Sequence, residues 1–304
     1  MVANQYTNVP VPGLGKAATP ATIAMLIKKS RRPVLVVGSD ATHLDWIRDI
    51  SGEIDFTSVA TATIAGPMQE HGIVPDRIMG AAEITNLLST PEWQGIRGEG
   101  QHDLAIYMGV IDQLEAQMLA TLKNFAPHVA TVSLSPEYQP NADLSVSNLG
   151  DSEFDEFLLA VGDALSAETF RYTHKVDSIK CTECGDCVFA CEKEHGKSRI
   201  RLSEARVPLL CLHCLPDKAK CAAVCGVGAI KDNSGILVVD YELCTGCGAC
   251  EDACPARHIF VGDDGVAHKC TLCMDSARII PACVAACKGG AMIYGVEEKK
   301  RNKR

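Results

Sequence analysis

Sixteen cysteines in a chain of 304 residues all fall between Cys181 and Cys287, and they sort into four groups of four. The groups are Cys181, Cys184, Cys187, Cys191; Cys211, Cys214, Cys221, Cys225; Cys244, Cys247, Cys250, Cys254; and Cys270, Cys273, Cys283, Cys287. The first and third read C-x2-C-x2-C-x3-C. That spacing lets three thiolates close on one face of a four-iron four-sulfur cube while the fourth reaches a neighbouring cube. Sixteen thiolates supply four 4Fe-4S clusters with four ligands each, so this half of the chain is expected to carry electrons.

Compactness explains the spacing. Three thiolates can converge within so short a loop only if the intervening residues are small or turn-forming, as Thr245, Gly246, Gly248 and Ala249 are. The backbone N–H groups of these loops are expected to point at cluster sulfurs, where hydrogen bonds, burial and net charge set the reduction potential. Zinc also takes C-x2-C pairs, but structural zinc sites join two pairs across longer gaps. The triple run disfavours zinc, least strongly for the second group with its wider gap. A disulfide framework belongs to short secreted chains behind a signal peptide, so the thiols imply a reducing compartment, with the cytoplasm as the expectation.

The elements that hold these loops are sparse. Two short strand-like segments, Ile236 to Asp240 and His258 to Val261, lie between cysteine groups, and cubes replace much of an apolar core. Cluster binding and folding are therefore expected to be coupled in this half.

The first 180 residues contain no cysteine, which places a domain boundary near residue 170. Residues 1–20, with Pro10, Pro12, Gly13, Gly15 and Pro20, lack periodicity and read as an extended arm of the kind that wraps a neighbour. A helix capped by Thr22 is expected next, carrying Ile23, Met25, Leu26 and Ile27. Pro33 to Gly38, Leu104 to Val110 and His128 to Leu134 read as buried parallel strands. Helices are expected at Asp40 to Ser51, Gly80 to Leu88, Leu114 to Phe125 and Ser152 to Leu165. Strands alternating with helices predict an α/β doubly wound parallel sheet.

Such a sheet invites a nucleotide at its switch point. The glycine fingerprint is missing, however: Val37 is followed by Gly38-Ser39-Asp40, and Gly95, Gly98 and Gly100 precede a strand. Packing and assembly are the simpler role for the sheet. His71, His102 and Asp103 are its most noticeable polar residues, with solvation or core satisfaction the simpler reading.

A formal charge of -9, made more negative by loaded clusters, argues against a nucleic-acid partner. The basic run Lys299 to Arg304 reads as a solvated tail. No apolar run approaches the ~18 residues that span a bilayer, so direct membrane insertion is not expected. Arg31-Arg32 has the form of a twin-arginine signal, but Val34 to Val37 is far too short an apolar stretch behind it.

Residues 178–295 resemble the four-cluster ferredoxin subunits that serve formate dehydrogenases, hydrogenases and molybdenum reductases. The resemblance rests on Cys211-Leu-His213-Cys214-Leu-Pro216 with Cys221 and Cys225, on Asp240 to Pro255, and on Lys269-Cys270-Thr-Leu-Cys273-Met-Asp275 through Pro281-Ala-Cys283 to Cys287. Gly226 departs from the family, which usually places proline there, and this puts the local path beyond Cys225 in question. In that family ligands are shared between groups. Carried over, this implies Cys181, Cys184, Cys187 with Cys287; Cys270, Cys273, Cys283 with Cys191; Cys211, Cys214, Cys221 with Cys254; and Cys244, Cys247, Cys250 with Cys225. Two ferredoxin-like α+β modules joined in line would result.

Residues 15–165 resemble the epsilon subunit of archaeal acetyl-CoA decarbonylase/synthase, the small partner of a carbon monoxide dehydrogenase. The residues that carry this are Ile27-Lys28-Lys29, Arg32-Pro33-Val34-Leu35-Val36-Val37-Gly38, Met79 to Leu88, His102-Asp103-Leu104 and Leu122 to Pro127. This resemblance implies a Rossmann-like domain that clasps the catalytic (alpha) subunit without performing chemistry. The expected organisation is thus an arm over 1–20, a Rossmann-like domain over 21–170, a four-cluster domain over 175–296 and a basic tail over 297–304.

The function these expectations imply is electron relay and assembly in a hetero-oligomeric carbon monoxide dehydrogenase/acetyl-CoA synthase complex. The electron acceptor would be a flavoprotein, as a deazaflavin (F-420) or nicotinamide reductase, or a soluble ferredoxin. Two alternatives stay open: a relay subunit of a hydrogenase or formate dehydrogenase, and a flavin- or nicotinamide-binding oxidoreductase in its own right.

Overall fold

A computed structural model describes residues 15–166, 170–276 and 278–296, in two compact units divided in the sequence after Ala167. Most of the expected arm and the basic tail lie outside the described residues.

The first unit runs β1 (Lys16–Ala17), α1 (Pro20–Lys29), β2 (Pro33–Val37), α2 (Leu44–Ser51), β3 (Thr57–Ala60), α3 (Ala65–Glu70), β4 (Arg77–Ile78), α4 (Ala81–Leu88), β5 (Leu104–Met108), α5 (Asp112–Phe125), β6 (Ala130–Leu134), β7 (Leu144–Ser145) and α6 (Asp151–Leu165). The seven strands form one parallel sheet in the order β1-β7-β6-β5-β2-β3-β4. The chain leaves β2 in one direction and, from β5, returns in the other, which is the doubly wound, Rossmann-like plan.

β2 and β5 are buried along their whole length, as continuous apolar runs in a parallel sheet must be. Their alternation divides the core. Val34, Val36, Ala105 and Tyr107 pack with Ile84 and Leu88 of α4 and Leu119 and Leu122 of α5. Leu35, Val37, Ile106 and Met108 point to the opposite face. There α1 packs on α6.

Several boundaries differ from the sequence expectation, each for a local reason. α1 starts at Pro20, not behind a Thr22 cap: Thr19 is the cap, its Oγ1 accepting from the Thr22 N–H at 3.3 Å, and proline suits the first turn. α2 starts at Leu44 because Asp40 accepts from the Thr42 N–H and hydroxyl, holding a turn in place of a helix. β3, β4, α3 and β7 had no sequence signal, since all are short, the strands mix Ser, Thr or Arg with few apolar residues, and α3 contains Gly66 and Pro67. The end of the expected arm enters the sheet. Lys16 and Ala17 form the edge strand against β7.

At the switch point the two loops are tied together. The Gly38 N–H donates to the Met108 carbonyl at 2.8 Å and the Asp40 N–H to the Gly109 carbonyl at 3.2 Å. A Cβ on Gly38 would lie 2.1 Å from the Gly109 carbonyl oxygen.

The second unit runs β8 (Tyr172–Val176), α7 (Asp186–His195), β9 (Arg201–Leu202), β10 (Pro208–Leu209), α8 (Lys220–Ala223), β11 (Ile230–Asn233), β12 (Ile236–Val239), α9 (Ala249–Ala253), β13 (Phe260–Val261), β14 (Ala267–His268), α10 (Ala282–Ala286) and β15 (Met292–Val296). β8 pairs antiparallel with β15, and α7 packs on α10. β11 pairs antiparallel with β12, and α8 packs on α9. Each set is a two-strand, two-helix ferredoxin-type module, and the second is inserted in sequence within the first. The inner core is small, with Ala219, Ile230, Leu237, Val239, Ile259 and Ala267 packed against Cys221, Cys225, Cys244, Cys250 and Cys254.

Candidate iron-sulfur centres

Four Cys-x-x-Cys loops share one backbone device. The residue before the second cysteine is left-handed in each: Glu183 at φ 57°, His213 at 47°, Gly246 at 64° and Leu272 at 52°. This turns the chain so that both sulfurs face one centre. For the three that are not glycine the conformation costs roughly 1–2 kcal/mol each, strain of the kind that ligand loops store. Gly246 is required on a second ground, because a Cβ there would lie 2.1 Å from the Gly265 carbonyl oxygen.

The cysteines come together in four sets. Cys181, Cys184, Cys187 and Cys287 line a cavity of about 150 Å³. Cys211, Cys214, Cys221 and Cys254 line another of about 50 Å³, and Cys225, Cys244, Cys247 and Cys250 one of about 20 Å³. Burial pushes the Cys283 thiol far up, and the charges of Cys270, Cys273 and Cys191, with that of Cys187 from the first set, add to the rise.

These sets form a row. Cys187 and Cys191, one turn apart on α7, join the first set to the one around Cys283, which is second. Cys270 of the second feels the charge of Cys211 in the third, and Cys250 of the fourth feels Cys221 in the third. Cys184, Cys214 and Cys247 give the first, third and fourth sets an exposed sulfur, whereas Cys191, Cys273 and Cys283 of the second are buried.

Burial pushes the Cys187 and Cys250 thiols up to about 11 and Cys270 up to about 12. Thiols so raised stay protonated at neutral pH unless a cation offsets the thiolate charge. A donor set made wholly of closely spaced sulfur fits iron of the cluster type, and the cysteines would hold it while small loops exclude water.

The cysteine sulfurs themselves accept hydrogen bonds from the backbone. The Ala229 N–H donates to Cys225 at 3.3 Å, His258 to Cys254 at 3.4 Å, Ala267 to Cys244 at 3.3 Å and Arg199 to Cys191 at 3.3 Å. The Leu272 N–H, 3.5 Å from Cys270, belongs to a Cys-x-x-Cys loop. The other four come from residues beyond the loops: Arg199, Ala229 and His258 where the chain folds back over the last cysteine of a group, and Ala267 from β14 onto the first cysteine of the third group. Gly226 does not disturb this return, because Ala229 reaches Cys225 across it.

Sequence reasoning missed two side chains. His174 on β8 places Nε2 3.6 Å from the Cys283 sulfur and Nδ1 3.8 Å from that of Cys270. His195, at the end of α7, places Nε2 3.3 Å from the Cys273 sulfur. Neither belongs to a cysteine spacing, so no local pattern announces them. His174 and His213 also lie within 4.8 Å of Cys270 by their nearest ligating atoms, with ring centroids 6.1 Å apart.

The polar residues singled out in the first unit have structural partners. Asp103 accepts from the Ser30 hydroxyl at 2.5 Å and the Arg31 and Arg32 N–H groups at 2.8 and 3.0 Å, closing the turn between α1 and β2. Buried His102 accepts from the Ile96 N–H at 3.2 Å and donates Nδ1–H to the Arg32 carbonyl at 3.0 Å, and burial lowers its pKa. His71 is paired with Asp45 at the surface. Among the described residues no helix is long and apolar enough to cross a membrane.

A family model for the CO dehydrogenase beta subunit/acetyl-CoA synthase epsilon subunit matches residues 4–160, and one for a 4Fe-4S dicluster domain matches residues 203–297. The first half is 42% identical to the acetyl-CoA decarbonylase/synthase complex subunit epsilon of Methanothermobacter thermautotrophicus, over 51% of this chain and 90% of that protein. The second half is 47% identical to an uncharacterized ferredoxin of Methanocaldococcus jannaschii, over 39% of this chain and 76% of that one. It is also 33% identical to the thiosulfate reductase electron transfer subunit of Salmonella typhi, over 42% of this chain and 77% of that one. The chain therefore belongs to the CO dehydrogenase beta subunit/acetyl-CoA synthase epsilon subunit family, and through its 4Fe-4S ferredoxin-type second half it is an iron-sulfur electron-transfer subunit.

Proposed function

We propose that residues 1–165 dock on the catalytic subunit of a carbon monoxide dehydrogenase/acetyl-CoA synthase complex, and that residues 178–295 relay its electrons through four 4Fe-4S clusters. The ligand sets would be Cys181, Cys184, Cys187 with Cys287; Cys191 with Cys270, Cys273, Cys283; Cys211, Cys214, Cys221 with Cys254; and Cys225 with Cys244, Cys247, Cys250. The observation that carries the reading is the row of four cysteine sets on the same polypeptide as an epsilon-type domain.

Clusters of this type store single electrons at low potential, some near about -400 mV within a much wider range, which suits the oxidation of carbon monoxide. The chain's own part is positional. Cysteines on short loops fix the spacing of the row, N–H groups tune the sulfurs they reach, and the first domain tethers the row to the enzyme. Fusion turns a diffusional encounter into an intramolecular one. The far end would deliver electrons to a flavoprotein that reduces deazaflavin (F-420) or nicotinamide, with a soluble ferredoxin as the competing acceptor.

Purification of the native complex under anaerobic conditions tests this. Expected are about sixteen irons per chain, a catalytic subunit with carbon monoxide activity, and reduction of one of these acceptors on carbon monoxide addition. Co-purification with a nickel-containing partner that lacks carbon monoxide activity would move the chain to the hydrogenase class.

A further inference from the structure

The four cysteine sets differ in what faces their sulfurs. In the second set every cysteine has a donor group beside it: the Arg199 N–H at Cys191, the Leu272 N–H at Cys270, His195 at Cys273 and His174 between Cys270 and Cys283. Among the described residues, all the imidazole nitrogens in hydrogen-bond contact with cysteine sulfur belong to this set. The other sets have backbone N–H donors, at Cys225, Cys244 and Cys254 and also at Cys187, Cys221 and Cys250.

Geometry assigns the proton on His195. Its Nδ1 is 4.0 Å from the Asp275 carboxylate, too far for a hydrogen bond, while Nε2 is 3.3 Å from sulfur. The N–H therefore sits on Nε2 and points at Cys273. Both ring nitrogens of His174 lie within reach of sulfur, Nε2 at Cys283 and Nδ1 at Cys270. Lys269 is buried beside Cys270, with its ammonium on the Leu237 and Cys270 carbonyls at 2.5 and 2.8 Å. Buried Arg199 is largely neutralised by Asp275 at 2.7 Å.

Two effects oppose each other here. Burial makes an added electron harder to accommodate, because low dielectric penalises extra negative charge. The same low dielectric strengthens each N–H···S contact and the field of Lys269. Hydrogen bonds to sulfur and nearby positive charge raise a cluster's potential. Lys269 is shared with the third set, whose cavity it also lines, and backbone donors occur in the other sets too; what the second set has beyond them is two imidazoles directed at its sulfurs.

We infer that His174 and His195 are tuning residues that make the second site the highest-potential centre of the row, so the first electron to enter the chain comes to rest there and not at an exposed end. This rests on the reading that each set of four cysteines holds one cluster.

The test is redox titration of the anaerobic full-length chain followed by electron paramagnetic resonance, with histidine labelled by nitrogen-15. The signal that appears with the first electron should show weakly coupled histidine nitrogen and an exchangeable proton. His174→Leu and His195→Leu should each lower its reduced-to-oxidised ratio about tenfold at fixed potential, equivalent to about 59 mV for one electron. His195→Gln, which keeps an N–H donor, should recover most of that loss. First-electron signals without histidine coupling, with the strong coupling of a directly ligated nitrogen, or with an unmoved midpoint in both leucine variants overturn the inference. The labelled wild-type spectrum decides even if a variant fails to fold. Iron far below about sixteen per chain, with no cluster signal, sinks the four-site reading instead.

Discussion

Cys187 and Cys191 lie one turn apart on α7, yet Cys187 lines the cavity with Cys181, Cys184 and Cys287 while Cys191 lies outside that lining and accepts from the Arg199 N–H at 3.3 Å. On the proposed ligand sets, a single turn of helix would set the distance between two centres. Replacing Cys191 by alanine should remove or convert the second cluster and leave the first intact. Anaerobic iron analysis with paramagnetic resonance should show loss of up to about a quarter of the iron. Loss of both signals would contradict the assignment of the two sulfurs to separate sites.

The inner core of the second unit places five cysteines among seven small or aliphatic neighbours at most, so little apolar burial remains once metal is gone. Chelator under anaerobic conditions should make residues after about 170 protease-sensitive while a fragment carrying the seven-stranded sheet survives. Limited proteolysis read by mass spectrometry measures this. Survival of the second unit without iron would show that it folds without its clusters.

Gly38 faces the Gly109 carbonyl at a distance that admits no side chain. Gly38→Val should destabilise the first unit by roughly 3 kcal/mol, at the upper end for overpacking because the obstruction is backbone. Denaturant midpoints of the first unit should fall while iron content stays the same. An unchanged midpoint would mean that the two loops separate without penalty.

Glu115 on α5 is buried, and burial pushes its carboxyl from 4.5 up to about 8, with Asp112 and Glu137 adding to the rise and Ser133 opposing it. A carboxyl with a raised pKa stays protonated in the folded state, where the unfolded chain has already lost the proton. Its contribution to stability is present at pH below about 4.5 and declines as pH rises toward about 8, by up to about 1.4 kcal/mol per pH unit. Glu115→Gln should flatten that decline. Denaturation midpoints between pH 5 and pH 8 should converge for the two proteins at the acid end; parallel profiles would remove Glu115 as the cause.

Much of the architecture was legible because its signals are local. The apolar runs at Pro33, Leu104 and His128 mark three sheet strands, since a strand covered on both faces must be apolar throughout. The short strands β3, β4 and β7 were not legible, because pairing with a neighbour, and not their own composition, makes them strands.

The count of thiols, their grouping by fours and the division into two halves follow from the sequence alone, because ligand spacing within a loop is a matter of a few covalently linked residues. Which fourth cysteine joins which three was suggested by family resemblance and not by spacing. Tertiary structure alone decided that β8 pairs with β15, which carries His174 to Cys283 across 109 residues. It also decided that Glu115 is sealed from water and that Gly38 meets Gly109. Each of these depends on segments distant in the chain being brought together, and that closure is a property of the whole fold.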